Sequence, residues 1–68
     1  MPIAVIINGE EKQLDGPMSV ADLLQSLNLP AAKVAIECNL EIVPRTAYGQ
    51  TLLSAGDRIE IVHFIGGG

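Results

Sequence analysis

Only one stretch of this chain repeats its apolar residues at helical spacing. Val20, Leu23, Leu24 and Leu27 fall at i, i+3, i+4 and i+7, which is one face of a short helix. Elsewhere the apolar residues come as short β-branched runs. One amphipathic helix among several strand-like runs has an economical solution: a sheet with the helix packed on one face.

The residues around the helical stretch support its limits. Ser19 can act as N-cap, and Asp22 stands three positions later, as in a capping box with a short acidic partner. Met18 and Leu23 occupy the positions of a hydrophobic staple. Asn28 can close the helix, and Pro30 prevents its continuation.

Five strands are expected around it. Residues 3–7 (Ile-Ala-Val-Ile-Ile) are continuously apolar, the pattern of a strand buried on both faces near the middle of a sheet. Asn8-Gly9 tolerates the positive φ of a tight hairpin, so a second strand returns through about 10–14. Its Glu10, Glu11 and Lys12 suit an exposed edge, and Gly16-Pro17 ends that segment. A third strand covers 34–38, with Val34, Ile36 and Cys38 on one face. Asn39 and Leu40 turn the chain into a short strand, 41–43, which Pro44 ends. Residues 45–54 read as a loop with one turn of 3₁₀ helix, and Gly56-Asp57 turns the chain into the last and longest strand, 58–65. There Ile59 and Ile61 face one way and Val62 and Phe64 the other, again a pattern of the sheet interior. The expected class is α+β: a mixed sheet of about five strands in the order β-β-α-β-β-β, with one helix. Residues 1–65 form the domain and 66–68 a flexible glycine tail.

Size and charge narrow the possible functions. A domain near 68 residues buries only about 60% of the surface its unfolded chain exposes, so a deep, walled active site is hard to build. Hydrophobic residues make up 49% of the chain, enough to fold, and the core must be aliphatic because Tyr48 and Phe64 are the only aromatics. Lys12, Lys33, Arg45 and Arg58 are scattered, so no basic stripe exists for nucleic acid. The net charge of −4 suits a basic docking surface on a partner. The run 3–7 is too short to span a membrane and lacks the flanks of a signal peptide, which makes a reducing cytoplasm the expected location. With one cysteine and one histidine, no zinc or iron–sulfur ligand set can form, and no bound cofactor is expected.

Three of the seven glycines are Gly66, Gly67 and Gly68, directly after the last strand. Such a segment is thin enough to enter a narrow channel in another protein, or is simply a frayed terminus. Composition alone leaves both readings open.

The wider pattern resembles a known family. Asn8-Gly9-Glu10 after an apolar first strand, the helical Val20–Leu29 segment and Val34–Asn39 all carry the likeness. So do Ile42-Val43-Pro44-Arg45, Ala55–Val62 with its Gly-Asp turn, and the closing Gly67-Gly68. Together they resemble the sulfur carriers of thiamine biosynthesis, a family of ubiquitin-like β-grasp proteins. Two positions depart from its usual pattern: Leu40 replaces a turn Gly or Asp, which implies a looser hairpin, and Tyr48 stands where Trp is common.

The resemblance implies that the first and last strands are parallel and central. It also implies that an E1-like adenylyltransferase uses ATP to activate the carboxylate of Gly68. Sulfur from a donor such as a cysteine desulfurase persulfide then yields a terminal thiocarboxylate, and thiazole synthase consumes it. Gly66 and Gly67 would thread the partner's site, and Phe64 and Ile65 would dock beside it. The chain would thus be a covalent carrier rather than an enzyme. Two relatives in chemistry stay open: the small subunit of molybdopterin synthase, and a protein modifier joined to lysine through its terminal glycine. A non-covalent interaction module with an irrelevant tail is a third.

Other candidate groups have structural readings. Cys38 is a nucleophile or a packed strand thiol, and its neighbours Val34 and Ile36 favour packing. His63 could steady an acyl-adenylate or simply end a strand. Asp57 and Glu60 fit turn and surface positions. The glycine tail has no helix after it and cannot be a phosphate-binding loop.

Overall fold

The computed structural model describes residues 1–64. Strands β1 (Ile3–Ile7) and β2 (Glu10–Leu14) are followed by helix α1 (Val20–Ser26), then by β3 (Val34–Cys38), β4 (Glu41–Val43) and β5 (Arg58–His63). The five strands form one sheet in the order β2-β1-β5-β3-β4. β1 and β5 run parallel at its centre, and every other pair is antiparallel. This is the mixed sheet and single helix of the β-grasp class.

Two hairpins set the register. Asn8 and Gly9 have φ of 50° and 83°, and Ile7 pairs with Glu10 across them. Both positive angles belong to the tight hairpin turn that the Asn-Gly pair favours. Asn39 and Leu40 have φ of 53° and 71°, with Cys38 paired to Glu41. The expected looser hairpin is therefore not found. The turn is as tight as the first, and Leu40 is held in the left-handed region that disfavours a side chain.

Helix α1 is closed at both ends. The Ser19 hydroxyl accepts from the Asp22 N–H at 3.0 Å. The Val20 N–H donates to the Thr51 carbonyl at 2.9 Å, and the Ala21 N–H to the Tyr48 carbonyl at 3.0 Å. The long 45–57 segment thus satisfies donors that a helix start leaves open. At the other end Leu29 N–H bonds to Leu24 C=O and Asn28 N–H to Gln25 C=O, with Asn28 at φ 59°. That pair of bonds is a Schellman motif with asparagine in the glycine position.

The core lies between α1 and one face of the sheet. Val5, Ile7, Leu14, Val20, Leu23, Leu24, Val34, Ile36, Tyr48, Leu53 and Ile59 are buried there. Leu27 and Cys38 are partly buried against it. Strands β1 and β5 lie inside the sheet but are not covered on both faces, contrary to the pattern read from their apolar runs. One helix makes one covering layer, so Ile6 is only half-buried and Val62 is exposed. β5 ends at His63 rather than at 65, opposite Val34, the first residue of β3. A 3₁₀ turn at Ala31–Lys33, not foreseen from the sequence, precedes β3, while the one foreseen in the long loop spans Arg45–Ala47.

Candidate functional site

The last described residue is Phe64. Its N–H donates to the Lys33 carbonyl at 2.8 Å, the last rung among the described residues. Ile65, Gly66, Gly67 and Gly68, expected to dock and to carry the chemistry, lie outside the described residues. What the structure fixes is the platform on which they follow.

That platform is the uncovered face of the sheet. Register places Ala35 beside Val62, and Glu37 beside both Ile42 and Glu60. Ile42 is 76% exposed, Val62 57% and Phe64 49%. Exposed apolar side chains grouped on one face point to a protein interface. Phe64 therefore does not cap the core beneath the helix. Ile42 and Val62 join it, though the strand pattern had suggested an interior place for Val62. The signal was available: a single helix can cover only one of the two apolar stripes on β5.

The remaining candidates fall into structural places. Cys38 is half-buried, and its thiol pKa is raised by burial first, then by the nearby Asp57 and Glu41 carboxylates. Both effects disfavour the thiolate, the form a nucleophile needs. Asp57 caps its own turn by accepting from the Ser54 N–H at 2.7 Å and the Asn39 side-chain amide at 3.1 Å. Glu60 and His63 are exposed on β5. Among the described residues no group of three or more His, Cys, Asp or Glu could hold a metal ion. No helix among them is long and apolar enough to cross a membrane.

Sequence reasoning passed over Asn8 except as a turn residue. Its side-chain oxygen accepts from the Ile61 N–H at 2.7 Å, and its side-chain nitrogen donates to the Ile61 carbonyl at 3.2 Å.

The fold has known counterparts. A family model described as the ThiS family matches residues 5–68. The chain belongs to the ThiS family. The crystal structure of the thiamine biosynthesis protein ThiS from Geobacter metallireducens superposes with a TM-score of 0.83 at 33% identity, covering 97% of this chain and 100% of that one. The sulfur carrier protein ThiS of Bacillus subtilis is 44% identical over 50 residues, 74% of this chain and 76% of its own. A thiazole synthase from Paramagnetospirillum magneticum is 50% identical over 64 residues, 94% of this chain and 20% of that protein. The chain thus spans about a fifth of the length of the thiazole synthases it matches. A ThiS-family segment occurs in those proteins within a much longer polypeptide.

Proposed function

We propose that this chain is a sulfur carrier in thiamine biosynthesis, working through the carboxylate of Gly68. The observation that supports this is a ThiS-family β-grasp domain whose sequence closes on Gly66-Gly67-Gly68, three residues after the central strand β5 ends at His63.

The chemistry follows from what a carboxylate lacks. A terminal carboxylate has a pKa of about 3.3–3.7, so it is an anion at neutral pH and resists nucleophiles. An E1-like adenylyltransferase would couple it to ATP: a carboxylate oxygen attacks the α-phosphorus and pyrophosphate leaves. A persulfide sulfur, such as that of a cysteine desulfurase, attacks the acyl carbon and AMP leaves. A thiol then reduces the resulting S–S bond, leaving a thiocarboxylate on Gly68. Thiazole synthase would take that sulfur, a partnership consistent with the shared segment in proteins of that name. ATP is bound and spent by the partner, which also supplies the base and oxyanion stabilisation.

The division of labour suits the platform. Ile42, Val62 and Phe64 give an apolar docking face, with Ile65 continuing toward the tail. Gly66 and Gly67 pass through the partner's channel without side chains to obstruct it. The reducing cytoplasm is the compartment this thiol chemistry requires.

Deleting Gly68 tests the reading. Circular dichroism and thermal melting should match the intact chain, while ATP–pyrophosphate exchange with the E1-like partner falls to background. Undiminished exchange by the truncated chain would defeat it.

A further inference from the structure

In the parallel pair β1–β5, the Ile6 N–H donates to the Asp57 carbonyl and the Asn8 N–H to the Ile59 carbonyl, both at 2.9 Å. If the ladder continued, the Ile61 N–H would bond to the carbonyl of residue 8 and the Ile61 carbonyl to the N–H of residue 10. Neither rung can form, because β1 has ended and Glu10 has turned back to pair with Ile7. Ile61 pairs with Ile36 across β3, in the alternation that turns its own polar groups toward β1. The side-chain amide of Asn8 supplies both missing partners, accepting at 2.7 Å and donating at 3.2 Å.

Glycine would serve the turn at Asn8 equally well, since φ there is 50°. Aspartate would also tolerate the angle but could not donate to a carbonyl when ionised. Only an asparagine amide matches a peptide group in both senses at this position. Ile61 lies one residue before Val62 and three before Phe64, the exposed side chains beside the tail.

We propose that Asn8 is a positioning residue for sulfur loading. Its amide serves as a surrogate rung on the β1 side of the end of β5, and so presents Val62 and Phe64 to the adenylating partner in one orientation. The proposal rests on the sulfur-carrier reading above. Without the rung the end of β5 frays on one side, and ordering it again falls to the binding step.

Asn8→Gly removes both bonds and keeps the turn; Asn8→Asp keeps the acceptor to the Ile61 N–H. Both are compared with the intact sequence, well below their melting temperatures. In Asn8→Gly, hydrogen exchange at the Ile61 amide should quicken about tenfold, the size of one lost hydrogen bond, while the Ile6 amide keeps its protection. In adenylation by the E1-like partner, KM for the carrier should rise by a similar factor with kcat within about twofold, because the loss falls on binding rather than on the chemical step. Asn8→Asp should lie between the two in both measurements. A merely structural role would lower the melting temperature and leave KM unchanged, and that result overturns the proposal. So does a fall in kcat alone, or unaltered exchange at Ile61. If the intact sequence is not adenylated at all, the sulfur-carrier reading fails instead, and the proposal with it.

Discussion

The hydroxyl of Tyr48 donates to the backbone carbonyl of Val34 at 3.3 Å, inside the core. β4 ends at Val43, opposite Ile36, so the Val34 carbonyl lies beyond the strand that would have provided its donor. Tyr48 also holds the helix, since its own carbonyl accepts from Ala21. Tyr48→Phe keeps the ring and removes one buried hydrogen bond, which should cost about 1–3 kcal/mol because the carbonyl is left without a donor. The length of the bond favours the lower end. Chemical denaturation of the two proteins measures it, and equal midpoints would show that the contact contributes nothing.

Leu24 is 1% exposed, while Leu52 is 67% exposed. Leu24→Ala should destabilise by about 2–5 kcal/mol, a large part of the roughly 5–15 kcal/mol that holds a native domain together. Leu52→Ala should stay within about 0.5 kcal/mol. Thermal midpoints for the pair test the helix phase and the burial together; a larger loss at Leu52 would reverse the assignment.

Leu40 sits at φ 71° with its side chain almost wholly in solvent. An L-residue in this region costs about 1–2 kcal/mol, and replacing it with glycine relieves that cost. Glycine also enlarges the entropy of the unfolded chain, worth about 0.5–1 kcal/mol in the opposite sense. Leu40→Gly should therefore stabilise by up to about 1.5 kcal/mol in denaturant titration. Destabilisation would mean that Leu40 makes contacts its exposure does not suggest.

The Cys38 thiol is held above its ordinary pKa by burial, Asp57 and Glu41, so the folded chain gives up this proton at higher pH than the unfolded chain. The associated stability is complete below the unfolded pKa and is lost as pH rises through the folded one. At mildly alkaline pH, iodoacetamide should modify Cys38 more slowly in the folded chain than in denaturant. Equal or faster modification of the folded chain would show an activated thiol and revive the nucleophile reading.

Much of this architecture is legible in the sequence because local signals agree with the fold. Asn8-Gly9 as a turn, Ser19 as a cap, and Asn28 and Pro30 as a helix stop are local signals that the fold obeys. What the sequence conceals is which face stays open and where one strand outruns its neighbour. Val62 alternates as an interior residue would, and only the number of covering layers exposes it. Asn8 and Tyr48 reach Ile61 and Val34, far along the chain, and no spacing rule connects such pairs. The resemblance reaches Gly68 because it rests on motifs, whereas the place of Ile42 on the open face emerges only from its register beside Glu37.

Incubation with the E1-like partner, ATP and a persulfide donor should raise the intact mass by the difference between sulfur and oxygen. Fragmentation should place the change on Gly68, and Cys38→Ser should carry it equally well. Sulfur found on Cys38, a stable conjugate to another protein's lysine, or no mass change in the presence of a competent partner would contradict the account.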